Sequence, residues 1–181
     1  MTKKKKKEAK KPRKPKLNLM AGMPRPKPVS FSGSTEILQQ ARNFPILGCW
    51  VMEGWQEGGL TPVVVARKQP EERVVFGSFL VDLFCLGVKD ALWKSDVSRK
   101  QFERDLPHLC SEMPEPCDAS LAHELIYGSI DYARRYGFEP HLDYAKASLV
   151  LGPPEAHPGK NKVKFGKDGQ PFFVAGPYDN A

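Results

Sequence analysis

The 181-residue sequence predicts an α+β fold: an N-terminal antiparallel strand meander followed by helices and a C-terminal β-hairpin, with a disordered basic arm in front. Three observations predict it. Apolar, β-forming runs joined by short polar turns fill residues 46–86, the pattern of strands that pair with their neighbours. From residue 98 the apolar period lengthens to that of helices, with Ser and Asp where caps belong. Residues 1–33 hold few large apolar side chains to bury. Strands first and helices afterwards is the order of segregated α+β domains, so residues 34–181 are expected to form one domain.

The arm is defined by charge. Ten of the fourteen residues 3–16 are basic: Lys3, Lys4, Lys5, Lys6, Lys7, Lys10, Lys11, Arg13, Lys14 and Lys16. With Arg25 and Lys27, residues 1–30 hold twelve cations against one acid, Glu8. The whole chain has 28 basic and 21 acidic residues, which leaves 16 against 20 beyond the arm. A net charge of +7 therefore describes neither part: a cationic leader precedes a mildly acidic body. Pro12, Pro15, Pro24, Pro26 and Pro28 interrupt the leader, and its like charges repel, so disorder with polyproline-like stretches is expected. Translation from Met20 or Met23 would remove most of it.

In the body, Ser34 is placed to cap a short helix through Ala41, stopped by Asn43-Phe44-Pro45. Strands are expected over residues 46–53, 62–68 and 73–86, the last with a bulge at Gly77. Ser98 begins a helix through Leu106, and Asp118 begins a longer one over residues 119–136. Leu121, Leu125, Gly128 and Tyr132 form one stripe of that helix, beside a second of Ala122, Ile126, Ser129 and Ala133. Gly137 supplies the left-handed stop. A short helix over residues 143–151 follows, and residues 163–165 and 171–175 are expected to pair across a Gly-Lys-Asp-Gly-Gln loop as the C-terminal hairpin.

Several function classes are disfavoured. The most apolar stretch, residues 79–88, is ten residues long and contains Asp82, too short to span a membrane. Residues 17–22 are too few and too weakly apolar for a secretory leader. The cysteines at 49, 85, 110 and 117 form no C-x-x-C pair, and a reduced cytoplasmic protein is the simplest reading. Cys110 and Cys117, with His108 nearby, are the one plausible disulfide or zinc pair, although their C-x6-C spacing is wrong for a zinc knuckle. Neither a G-x-x-x-x-G-K loop nor an H-E-x-x-H helix occurs, so no cofactor or metal can be named.

The densest polar block runs from His123 and Glu124 through Tyr127 to His141 and Asp143. Imidazole beside carboxylate can hold a divalent metal or act as a general base, so His123, His141 and Asp143 are candidate catalytic residues. The bland alternative is that His123 hydrogen-bonds within the core rim and Asp143 caps the last helix. Asp82 joins the candidates because it lies among Leu80, Leu83 and Phe84, where a carboxylate needs a donor such as Lys89, His123 or Tyr127. As a staple it would be structural. Trp50, Trp55 and Trp93 are possible base-stacking platforms, Trp55 being the most exposed by its glycine-rich surroundings.

A second cationic patch is expected at the C-terminus. Lys160, Lys162 and Lys164 share one face if the chain there is extended, and Lys167 sits at the turn, close to Phe165, Phe172 and Phe173. Lysines beside aromatics suit single-stranded nucleic acid, although lysines also protect an edge strand from unwanted pairing.

Residues 81–90 (Val-Asp-Leu-Phe-Cys-Leu-Gly-Val-Lys-Asp), the His123 to Asp143 block and residues 165–172 (Phe-Gly-Lys-Asp-Gly-Gln-Pro-Phe) together resemble an uncharacterised family of bacterial proteins. The resemblance covers roughly residues 45–179 and implies a single bacterial domain without implying an activity, ligand or site residue.

Taken together, the sequence favours a nucleic-acid-associated protein, RNA ahead of DNA, whose arm binds phosphates without reading bases. The rival is a metal- or acid/base-dependent hydrolase using Asp82, His123, His141 and Asp143, and a protein-interaction module is a third reading. The expected location is the cytoplasm, with a nuclear address if the source has a nucleus.

Overall fold

A computed structural model describes residues 35–111, 113–160 and 163–173. Its centre is a five-stranded antiparallel sheet of order β4-β3-β2-β1-β5. The strands are β1 (Ile46–Met52), β2 (Leu60–Gln69), β3 (Arg73–Asp82), β4 (Gly87–Ser98) and β5 (Pro114–Cys117). The helices are α1 (Thr35–Gln39), α2 (Trp55–Gly58), α3 (Arg99–Leu109), α4 (Ala119–Arg134) and α5 (Tyr144–Ala147), with 3-10 turns at Ala41–Asn43, Ser148–Val150 and Pro154–Ala156. No helix among the described residues is long and apolar enough to cross a membrane.

This corrects the expected architecture in two ways. The meander has four strands because the run over residues 73–86 is β3 followed by a turn at residues 83–86, after which β4 returns from Gly87. Asp82 Oδ1 accepts the backbone N–H groups of Phe84 (2.9 Å) and Cys85 (3.0 Å), reversing the chain. Gly87, at φ +69°, then lies so close to α4 that a Cβ would come within 3.0 Å of Ala133 Cβ and Ser129 O. Uniform apolarity hid the turn, since both strands and the turn between them are partly or wholly buried. The second correction concerns the C-terminus. Residues 163–165 and 171–173 are not paired strands, and a single bridge joins Lys167 to Gln170. Gly166 N donates instead to Leu83 O (2.9 Å) and Phe172 N to Phe84 O (3.0 Å), so the segment docks on the β3–β4 turn. Residues 174–175 lie outside the described residues.

Smaller differences have local causes. Gly77 is not a bulge. It pairs in register with Val65 and Trp93, and its missing Cβ admits the Ala147 carbonyl, which a Cβ would approach to 3.2 Å. The irregularities lie opposite it in β4, near Lys89 and near Asp96, where Asp96 (φ +58°) is held by Gln69 and Arg73. β5, unforeseen, is an edge strand that reads Pro-Glu-Pro-Cys. Glu53 N donates to Met113 O, so the alternation of antiparallel pairing turns the nitrogens of Pro114 and Pro116 away from β1. The missing N–H groups therefore cost no ladder bond and leave the open edge poor in donors.

Both sheet faces are covered. Val63, Val65, Phe79 and Val81 pack with Leu125, Ile126 and Ile130 of α4 and Ala147 of α5. Val64, Ala66, Val74 and Phe76 pack with Phe102 and Leu106 of α3. The caps are local: Ser98 Oγ accepts Gln101 N, and Asp118 Oδ1 accepts Leu121 N. Gly137 (φ +83°) and the Phe138 N–H bond to Ala133 O end α4 in a Schellman motif.

Candidate functional site

The four candidate catalytic residues occupy three separate places. Asp82 caps the β3–β4 turn through backbone N–H groups and uses none of the side-chain donors expected for it. His141 and Asp143 lie together on the surface with Asp90. His141 Nδ1 is 3.6 Å from Asp143 Oδ2 and 3.8 Å from Asp90 Oδ1, and all three side chains are well exposed. His141 lines a shallow hollow of about 240 Å³ with Leu86, Val88 and Phe138. Asp143 stands at the N-cap of α5 but makes no side-chain cap bond. His123 lies elsewhere, on the buried side of α4. Among the described residues no three His, Cys, Asp or Glu side chains are grouped to hold a metal. Cys110 and Cys117 are free thiols, and Cys117 faces Cys49 across the β1–β5 pair. Burial pushes Cys49 up to about 11 and Cys110 and Cys117 to about 12, which leaves no thiolate at neutral pH.

His123 lines a cavity of about 370 Å³ between α4 and Pro154, His157, Gly159, Val163 and Phe165, with Glu124 and Tyr127 on the helix. Sequence places His123 and Tyr127 one helical turn apart, and the structure puts their rings edge-on at 5.4 Å. His157 stands at 89° to His123 with centroids 4.9 Å apart. The wall opposite α4 is built by Glu124, whose Oε2 accepts Lys160 N and Oε1 accepts Val163 N, both at 2.8 Å. Gly128 and Gly159 let that wall approach: a Cβ on Gly128 would overlap the Phe165 ring, and one on Gly159 would crowd Glu124 at 3.0 Å.

The protonation of His123 follows from its neighbours. Nε2 is 3.2 Å from Leu151 O, a carbonyl that also accepts Arg67 Nη2 at 2.9 Å. The ring faces two backbone carbonyls, Leu151 O at Nε2 and that of Pro154, and a neutral imidazole has a single N–H to donate between them. Burial above all, then the neighbouring His157, and also the Arg67 charge hold the ring below its ordinary titration range. The Leu151 and Pro154 backbones pull the other way and do not prevail. Nδ1 is buried and makes no bond of good hydrogen-bond geometry among the described residues.

His157 was not a candidate from the sequence, and Phe165 was read only as an aromatic beside the C-terminal lysines. Spacing alone cannot foretell that a loop 30 to 40 residues downstream closes over α4. A lone histidine in a proline- and glycine-rich segment was the only signal.

The aromatic and basic candidates are redistributed as well. Trp55 and Trp93 are buried (9% and 5% exposed) and Trp50 packs on Phe102, so no tryptophan is an exposed platform. Tyr136, Phe138, Phe172 and Phe173 are 39–50% exposed, around the end of α4 and the docked C-terminal segment. Lys167 Nζ sits 4.4 Å over the Phe172 ring, and Arg134, Arg135 and Lys164 are exposed. Lys160 is drawn off by Asp118, at 2.7 Å, so it does not share a cationic face with Lys164. Lys162 and all twelve cations of the arm lie outside the described residues. No family model, curated protein or solved structure matches the chain.

Proposed function

We propose that the protein associates with single-stranded nucleic acid, RNA in preference to DNA, by dividing the task between two regions. The cationic arm takes phosphates without reading sequence, releasing their condensed counterions. The exposed aromatics around the end of α4 take unpaired bases, which stack on any ring. The observation that carries the reading is charge segregation: twelve cations in residues 1–30, on a body with 16 basic against 20 acidic residues. The pairing of Lys167 with the half-exposed Phe172 supports it, because a cation over an aromatic suits a stacked base beside its phosphate. A hydrolase built on Asp82, His123, His141 and Asp143 is not proposed, since the four do not meet.

Fluorescence anisotropy of a labelled oligouridine tests the reading. Affinity should fall steeply with salt, log K dropping by about 0.7 per neutralised phosphate for each decade. Removal of residues 1–33 should abolish most of the slope. Phe172→Ala should weaken the single strand and leave a duplex of equal length unchanged. Equal affinity with and without the arm would refute the proposal, and loss of a co-purifying protein on Phe172→Ala would point to a protein-docking face.

A further inference from the structure

We infer that Cys49 and Cys117 form a redox site: a reversible disulfide that ties the edge strand β5 to β1, made by exchange with a small-molecule disulfide of the oxidised-glutathione class. The two residues are direct partners across the β1–β5 pair. Directly opposed residues project from the same face of a sheet, and Cys117 packs against the same core cluster that holds Cys49. The bond from Glu53 N to Met113 O sets the alternation, so Cys49 and Cys117 meet at a hydrogen-bonded position with Cα atoms about 5.5 Å apart. A disulfide spans roughly 4.4–6.8 Å between Cα atoms. The other two thiols are placed elsewhere. Cys110 is fully buried with Val64 and Phe102 on the opposite face, and Cys85 sits in the β3–β4 turn.

Exposure divides the roles. Cys117 is partly exposed and can meet the oxidant, whereas Cys49 is 3% exposed and resolves. The Cys117 thiolate attacks one sulfur of oxidised glutathione and expels a glutathione thiolate, which takes up the proton that Cys117 released. The Cys49 thiolate then attacks the Cys117 sulfur of the mixed disulfide and expels the second glutathione, which receives the Cys49 proton. Two protein thiols are oxidised, and one glutathione disulfide is reduced to two thiols. Burial keeps both cysteines protonated near neutral pH, so the exchange is slow and quickens as pH rises. The bond is also strained. Opposed Cβ atoms lie about 5 Å apart in such a pair and a disulfide holds them at about 4 Å, so closure draws β5 inward by roughly 1 Å. β5 can follow because it has four residues, a single neighbouring strand, and Cys117 at its very end. Strain makes a disulfide easier to reduce, which suits a switch better than a permanent staple.

The test exposes the folded full chain to oxidised glutathione at about pH 8.5, within the ordinary thiol range, and maps peptides without reduction. A peptide linking Cys49 to Cys117 should accumulate while Cys85 and Cys110 stay reduced. Its rate should rise about tenfold per pH unit below the titration of the thiols, as expected when the rare thiolate reacts. Amide exchange at Glu115 should slow in the oxidised chain, because β5 no longer peels from β1. Millimolar reduced glutathione should reopen the bond. Cys110→Ala should leave the linkage unchanged, and Cys49→Ala should arrest the reaction as a glutathione adduct on Cys117. In the parent chain, a lasting adduct on Cys117, a link to Cys110, no oxidation at all, or a linkage formed only in urea would overturn the inference. A bond that reduced glutathione fails to open would refute the switch.

Discussion

Arg67 and His123 share one acceptor, the carbonyl of Leu151. Arg67 donates from β2, His123 from α4, and the two occupy both lone pairs of an oxygen 84 and 28 residues away in sequence. Tyr127 takes the next carbonyl, Gly152 O, at 2.5 Å. The backbone at Leu151 and Gly152, behind the cavity residues His123 and Tyr127, is thus pinned by three side chains.

Arg67 itself is 6% exposed and donates to Val150 O, Leu151 O, Phe44 O and Arg42 O. Replacement by leucine would take this donor from the buried Val150 carbonyl and the part-buried Phe44 carbonyl, leaving Leu151 O with His123 alone, so Arg67→Leu should cost about 3 kcal/mol. Arg67→Lys should recover only part of this, because a compact ammonium cannot reproduce the planar fork. Urea unfolding at constant m-value measures both. A loss below about 0.5 kcal/mol for Arg67→Leu would show that water replaces the guanidinium.

His123 should make stability depend on pH. Its folded-state titration lies below the ordinary value of 6.5, chiefly through burial, so the unfolded chain binds the proton more readily. The contribution is complete above about pH 6.5 and erodes as pH falls toward the folded value, by at most about 1.4 kcal/mol per unit. His123→Phe should flatten the unfolding midpoint between pH 7 and the folded value relative to the parent. Parallel curves would assign the slope to another group.

Glu124 holds the cavity wall by two backbone bonds from Lys160 and Val163. Glu124→Gln keeps one acceptor oxygen and turns an amide donor toward the other N–H. The expected loss is about 1 kcal/mol, with faster amide exchange at Val163 and little change in the sheet. Unchanged exchange at Val163 would mean that Phe165, not Glu124, fixes the wall.

Gly128 and Phe165 should show a reversal of sign. In an exposed helix Gly→Ala stabilises by up to about 1 kcal/mol. Here a Cβ overlaps the Phe165 ring, so Gly128→Ala should destabilise the parent chain. In a Phe165→Ala background the same change should stabilise. A double-mutant cycle reads the coupling directly, and additive effects would place the ring outside the notch.

What the sequence determined by itself is local or compositional. The caps at Ser98 and Asp118 and the stop at Gly137 are legible because each is decided within a few residues of backbone. The segregation of charge needs no structure at all. The division of residues 73–98 at Asp82, the fifth strand with its outward prolines, and the docking of the C-terminal segment were decided by tertiary packing. Each depends on which partner a segment finds. Asp82 caps a turn because β4 returns beside β3, and Phe165 seats at Gly128 instead of pairing as a strand because Glu124 captures the chain before it. Likewise His123 was visible as a histidine on an apolar face, but its sharing of the Leu151 carbonyl with Arg67 was not: that is a contact between residues no local pattern connects.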